Sequence, residues 1–295
     1  MIAIDAVASR RDLQEFISLP DALYRNIPAY RPPLDLDNRM LLDPRKSAFW
    51  KRGQARYWLA RKDGAAVGRI SAQIDQRVPQ GGPEDAGMFG CLDAVDDGAV
   101  VAALLAAARN WLAERGRTSM FGPCTLDMND QPGLMVEGAD QPPMFLVPWH
   151  PPYLRDRIEE QGLARLHDLH NWRLDLTSAP LDRFAKLKRM AQRIPDIVIR
   201  QPTRRSFRRD LAILCGIYND AWQSNWGFVP LAPEDLSGLE DFMQVFLNRV
   251  CFRIVEFEGQ PVGVVLLIAN VFEIIDGLAP NPGLSGWARL AWRAV

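Results

Sequence analysis

Residues 57–70, YWLARKDGAAVGRI, and residues 252–265, FRIVEFEGQPVGVV, share one pattern: an apolar strand, an acid-Gly turn, and a second strand opening on Val-Gly. Asp63-Gly64 and Glu258-Gly259 fill the turn, and Val67-Gly68 matches Val262-Gly263. Such a turn between β-rich runs predicts a tight hairpin, because glycine takes positive φ at no steric cost. The likeness extends upstream, where RRDLQEFISLPDALYRN at 10–26 resembles RRDLAILCGIYNDAWQSN at 208–225. Each copy therefore reads helix, then hairpin. Self-similarity at this distance predicts two related domains in tandem, not a short-period solenoid.

Around the first hairpin, Ile2–Val7 reads as a strand and Ser9 as the N-cap of a helix from RRDL. GMFGCLDAV is a further strand, and GAVVAALLAAARNWLAERG is an Ala-rich helix with an apolar stripe that stops at Gly116. TSMFGP reads as a short strand, PPYLRDRIEEQGL as a helix and LHDLHNWRLDL as a closing strand. LDRFAKLKRMAQRI is a helical connector. IVIRQP, the RRDLAILCGIYNDAWQS helix, a helix over PEDLSGLEDFMQVFLNRV and the second hairpin then repeat the opening order. The expected layout is a first domain over 1–177, a connector over 178–196 and the N-terminal half of a second domain over 197–295. The fold class is α/β, a mixed sheet with flanking helices.

The composition, 48% hydrophobic and 24% charged over 295 residues, is that of an ordinary globular protein. A formal net charge of −1 offers no field for nucleic acid, and RRSFRR at 204–209 is only a short basic patch. PVGVVLLIA at 261–269 is half the length of a membrane span, and the N-terminus lacks a signal-peptide apolar core, so a cytoplasmic protein is expected. Cys91, Cys124, Cys215 and Cys251 show no CxxC spacing and read as reduced, small core residues. His150, His167 and His170 offer no metal spacing: on an alternating strand His167 and His170 would point to opposite faces. No metal site is expected.

The element order and four segments together resemble a known family. RPPLDLDNRMLLDPRKSAFW at 31–50, FGPCTLDMNDQPGLMVEGADQPP at 121–143, the following VPWHPPYL and YNDAWQSNWGFVPL at 218–231 are similar to the bacterial ceramide synthase-like branch of the Gcn5-related N-acyltransferases (GNAT), whose members carry two such domains in tandem. The resemblance implies transfer of a fatty acyl group from acyl-CoA, as co-substrate, to the amine of a sphingoid base. It also implies an R/Q-x-x-G-x-G/A turn at a helix start, where backbone N–H groups and the helix dipole meet the CoA pyrophosphate. The first domain has instead LDAVDDGAVV, with Asp93, Asp96 and Asp97, which reads as ordinary helix capping and repels a diphosphate. The second copy reaches Val295 without such a turn, so a shortened second domain lacking the pyrophosphate loop is expected, with poor packing or self-association after about residue 270 through unpaired strand edges.

Against that family, the candidate catalytic residues are Glu137 and Asp140, as acceptors of the attacking amine's proton, and Tyr153, as donor to the departing thiolate. Asn129 and Asp130, in a loop after a strand, and Asn225-Trp226-Gly227-Phe228, two aromatics around a glycine, are candidate substrate-binding residues; turn formation and packing against the hairpin explain the same residues equally well. The expected partner is a small amine or lipid acceptor. Trp287, Arg289, Trp292 and Arg293 mix aromatics and cations as a helix lying on the inner membrane would. The competing reading is a non-catalytic binding or interaction module on the same scaffold.

Overall fold

The computed structural model describes residues 1–175, 177, 182–191, 193–236 and 250–294. They form two compact units: Met1–Leu166 with Gln223–Pro230 and Asn270–Val295, and His167–Trp222 with Leu231–Ala269. The segments 223–230 and 270–295 thus belong with the first unit, whereas the sequence places both in the second domain.

In the first unit, strands β1 (Ile2–Ala6), β2 (Gly53–Lys62), β3 (Ala65–Asp75), β4 (Ala86–Ala94) and β5 (Ser119–Phe121) form a sheet in that order, antiparallel until β5 joins β4 in parallel. Helices α1 (Arg10–Tyr24) and α2 (Asp35–Leu42) come before β2; α3 (Gly98–Ala113) crosses from β4 to β5. The YWLA run is continuously apolar because both faces of the sheet are covered. Tyr57 and Leu59 pack with Phe16 and Ile17 of α1, while Trp58 and Ala60 pack with Leu104, Ala108 and Leu112 of α3. Ser9 caps α1 as expected: its hydroxyl accepts from Asp12 N at 3.1 Å, and Asp12 Oδ2 accepts from Ser9 N at 2.9 Å. Gly116 takes φ 75° just past α3, the stop that the sequence predicts.

The second unit repeats the opening. Strands β6 (Ile197–Arg200), β7 (Val250–Phe257) and β8 (Gln260–Ile268) form a three-stranded antiparallel sheet ordered β8-β7-β6, with the helix Phe207–Trp222 between β6 and β7 in the chain. The register is copied residue for residue at an offset of 195 (2 to 197, 62 to 257, 65 to 260): Ile2↔Lys62 becomes Ile197↔Phe257, and Lys62↔Ala65 becomes Phe257↔Gln260. Both hairpins skip the same residue, Val67 in one and Val262 in the other, at a β-bulge. Both turns hold two consecutive positive φ angles, Asp63-Gly64 at 53° and 85° and Glu258-Gly259 at 50° and 75°, the requirement of a two-residue hairpin turn. The tandem reading is therefore seen in the backbone itself.

Two expectations fail. LHDLHNWRLDL is not a strand: residues 166–175 hold no regular structure and pair with no described strand, and the apolar members of the alternation, Leu166, Leu169, Trp172 and Leu174, are all exposed. Residues after 270 do not pack poorly: a short helix, Val271–Ile274, is capped by Asn270, and Ile274, Ile275 and Leu290 are buried. The tail is fixed within the first unit because its polar groups find partners there. Asp35 N donates to Pro280 O at 2.8 Å, Phe145 N donates to Asn270 Oδ1 at 3.2 Å, and Arg31 pairs with Asp276 at 3.0 Å. The expected helix over PEDLSGLEDFMQVFLNRV lies mostly outside the described residues, which show only a 3₁₀ turn, Pro233–Leu236. Among the described residues no helix is long and apolar enough to cross a membrane.

Gly216 lies inside the helix Phe207–Trp222, exposed, and a Cβ there would meet nothing within 4 Å. Gly216→Ala should therefore stabilise the second unit by about 0.5–1 kcal/mol, read as a higher urea midpoint with unchanged slope.

Candidate functional site

The first unit encloses a cavity of about 90 Å³ walled by the family-like segments themselves. Arg31, Pro32, Pro33, Asp35 and Asn38 come from the first, Pro123, Thr125, Gln131, Gly133 and Pro143 from the second, and Val147–His150 from the third. Strand β4 supplies Cys91, Leu92 and Asp93, three consecutive residues on one cavity wall. A regular strand cannot do this, since neighbours alternate faces. A bulge makes it possible: Arg69 pairs with Asp93 and Ser71 with Gly90, so Cys91 and Leu92 together oppose Ile70, and Cys91 takes φ 46°.

The cavity wall is charged and buried. Arg69 and Asp93 are 8% and 7% exposed and joined Nε to Oδ2 at 2.8 Å. Arg69 Nη1 also donates to Phe16 O at 2.7 Å, with the guanidinium 4.9 Å from the Phe16 ring centroid. Burial works against the Arg69 charge, but the Asp93 carboxylate, Cys91 and Tyr30 together outweigh it and the guanidinium pKa is raised. Tyr30 and Trp149 stand ring to ring at 5.3 Å, each also against Tyr24, and burial raises the Tyr30 phenol pKa. His150, 8% exposed, accepts from Met135 N through Nδ1 at 3.2 Å. That bond places the ring proton on Nε2.

Burial lowers the His150 pKa below 6.5. The imidazole is neutral when folded but takes a proton when unfolded, so its contribution to stability is complete above about pH 6.5 and shrinks as pH falls below it. Nitrogen-detected NMR should show His150 as the neutral Nε2–H tautomer at pH 6.5 and above.

The structure separates the residues singled out from the sequence. Glu137 and Asp140 are exposed, and Asp140 accepts from Gln141 Nε2 at 3.0 Å. Tyr153 opens helix α4 (Tyr153–Glu159), and its hydroxyl donates to Ala94 O at 2.7 Å; burial pushes its pKa up to about 12. None of these three lines the cavity. Asn129 and Asn225–Phe228 come together away from it: Asn129 Nδ2 donates to Val229 O at 3.3 Å, Gly227 N to Gln80 O at 2.7 Å, and Gln80 N to Phe228 O at 2.9 Å. Trp226 covers Gly81, and Gly227 lies against Met128. Asp130 follows Asn129 in the same half-buried loop. Below that loop Arg52 bonds both Asp75 and Asp127, and Arg77 reaches Asp127 at 3.2 Å. The pattern is that of a docked segment over a buried ion network.

The residues that do form the cavity were present in the sequence but read otherwise. Asp93 counted with Asp96 and Asp97 as a helix entrance, yet it belongs to β4. Asp96 pairs with Arg157 at 2.7 Å, and Asp97 caps α3 by accepting from Ala99 N at 3.0 Å while pairing with Lys62 at 3.0 Å. Glu160 approaches Gly98, so the start of α3 is filled by side chains and lined by acid. The described residues contain no cluster suited to a metal ion.

No protein-family model matches the chain. It is 36% identical over 296 residues to the bacterial ceramide synthase of Caulobacter vibrioides, covering 99% of this chain and 76% of that protein. It is 34% identical to protein YghO of Escherichia coli K12, covering 97% of this chain and 73% of that protein. Among solved structures, a tandem GNAT protein from the clavulanic acid biosynthesis pathway is 14% identical with a TM-score of 0.47, covering 90% of this chain and 74% of that one. AAC(6')-Iy, solved with the bisubstrate analogue CoA-S-monomethyl-acetylneamine, is 14% identical with a TM-score of 0.39, covering 59% of this chain and 99% of that one. The chain belongs to the family of the bacterial ceramide synthase.

Proposed function

We propose that this chain acts in N-acyl transfer: the amine of an acceptor attacks the thioester of an acyl-CoA directly, forming an amide and releasing the CoA thiol. The observation that carries this reading is the 36% identity to a ceramide synthase along 99% of the chain. A ceramide forms when a fatty acyl group joins the amine of a sphingoid base, and we extend that acceptor class to this protein. Direct attack needs no covalent enzyme intermediate, so the protein's work is to position the amine and the thioester and to take up one proton. Tyr153, held protonated by its raised pKa, suits donation to a leaving thiolate, although its hydrogen is engaged by Ala94 O. Glu137 and Asp140, exposed to solvent, suit proton acceptance at the surface.

Acyl-CoA would not meet its phosphates at α3. There Asp96, Asp97 and Glu160 place carboxylates where a diphosphate needs donors, each repelling it by about 0.3–1 kcal/mol. The same feature favours a second reading, a binding protein that keeps the scaffold without catalysis. A long-chain acceptor resides in a membrane, and the exposed Leu284 and Trp292 of the C-terminal helix suit peripheral contact. The exposed Val265 and Leu267 of the second unit's sheet suit self-association in the same way.

The test is mass-spectrometric detection of amide product from a long-chain acyl-CoA and a 2-amino-1,3-diol, with acyl-CoA binding measured on the same sample. Amide that depends on the protein supports transfer. Acceptor binding with no amide from any acyl-CoA supports the binding-protein reading.

A further inference from the structure

We propose that Arg69, Asp93, His150 and Tyr30 form the recognition site for the polar head of the acceptor, and that this site selects an amine carrying a hydroxyl on the neighbouring carbon. The word acceptor rests on the N-acyltransfer reading; the site rests on geometry alone. Each of the four residues is 9% exposed or less, each lines the one cavity, and each has polar capacity that the described residues do not use. Arg69 spends Nε on Asp93 and Nη1 on Phe16 O, leaving Nη2. Asp93 receives Arg69 on Oδ2, leaving Oδ1. His150 has Nδ1 engaged by Met135 N, leaving Nε2–H. Tyr30 is held by ring contacts, leaving its hydroxyl. None of these four atoms is sealed from solvent, so the unused donors and acceptors around this cavity are open to a ligand that enters it.

The chemistry of that ligand follows from the inventory. Asp93 Oδ1 only accepts, so it takes an N–H or O–H. Arg69 Nη2 and His150 Nε2–H only donate, so they take an oxygen. The Tyr30 hydroxyl does either. An ammonium on Asp93 with a vicinal hydroxyl oxygen on Arg69 and His150 uses all of them. A zwitterion is disfavoured, because the charged lining is three carboxylates, Asp21, Asp35 and Asp93, against two guanidiniums, Arg31 and Arg69, and with Arg31 paired to Asp276 and Asp21 to Arg25 the acids still outnumber the bases. About 90 Å³ is on the order of six water-sized positions. That admits a small head and excludes a long chain, which must extend out of the cavity.

The experiment is titration calorimetry of the whole chain with three short-chain probes: a 2-amino-1,3-diol, the same diol without the amine, and the same amine without the hydroxyls. The expected result is one site per chain, with the aminodiol bound at least about tenfold tighter than either partial probe. Asp93→Asn should erase the preference for the amine. Tyr30→Phe, which removes one oxygen and leaves the ring contacts, should weaken the aminodiol about three- to tenfold with an unchanged melting temperature. Equal binding of the three probes, absence of saturable binding, or indifference to both variants would overturn the proposal. Amide formation followed on the same proteins separates the two readings. Discriminating binding without amide sinks N-acyl transfer and leaves the head site standing; amide formation indifferent to both variants does the reverse.

Discussion

Asp93→Ala should lower the unfolding free energy of the first unit by about 3–5 kcal/mol, whereas replacing the pair with Arg69→Met and Asp93→Leu should return most of that loss. The asymmetry is the point. Arg69 cannot shed its charge, and at 8% exposure little solvent reaches it to replace the lost carboxylate. Its remaining Phe16 carbonyl and ring contacts compensate only in part. The double variant removes both charges and fills the space with apolar atoms, so neither desolvation cost survives. Urea unfolding of the three proteins measures the difference. A single variant within about 1 kcal/mol of wild type would mean that solvent reaches the pair freely and that the cavity wall is not the buried, charged surface described above. The double variant should also lose all aminodiol binding while remaining folded, which makes it the cleanest control for the head site.

The repeat and the site differ in how far the sequence reveals them, for a physical reason. Hairpins are local: the acid-Gly turn, the skipped valine and the alternating apolar residues lie within fifteen positions, so 57–70 and 252–265 predict their own register. The meaning of the shared glycine is not local. At Gly68 a Cβ would lie 2.8 Å from Leu104 Cδ1, because α3 packs down on β3; at Gly263 the nearest atom is Val255 Cβ at 3.7 Å. The same letter sits in a crowded place in one copy and an open one in the other. The cavity is less local still, assembled from residues as far apart as Ile17 and Pro280. Asp93 was misread because its role depends on the bulge in β4, and nothing in GMFGCLDAV announces one. His150 carried a weak signal: a single histidine inside PWHPPY, in a segment already marked by its resemblance. Glu137 and Asp140 were chosen for chemistry without knowledge of exposure, and exposure is what the sequence of a loop conceals.

Gly90→Ala should cost roughly 3 kcal/mol or more and open the cavity at the same time, whereas Gly87→Ala, on the same strand, should cost only about 1–3 kcal/mol. Both glycines are crowded, but by different atoms. A Cβ at position 90 would lie 1.9 Å from the Cys124 carbonyl oxygen, part of the short strand Cys124–Thr125 that crosses β4. That backbone is pinned: Gln73 Nε2 donates to the same oxygen at 2.5 Å, and Cys124 pairs with Pro132. It cannot retreat without breaking a buried hydrogen bond and carrying Pro123 and Thr125, two residues of the cavity wall, away with it. At position 87 the obstacle is Leu112 Cδ2 at 2.2 Å, the end of a side chain that can change rotamer. Paired urea melts give the stability difference, and aminodiol titration gives the consequence for the site: Gly87→Ala should bind as wild type does, and Gly90→Ala should not. Equal costs for the two would show that the crossing strand moves freely over β4, and that the wall of the cavity is set by something other than the absence of a side chain at position 90.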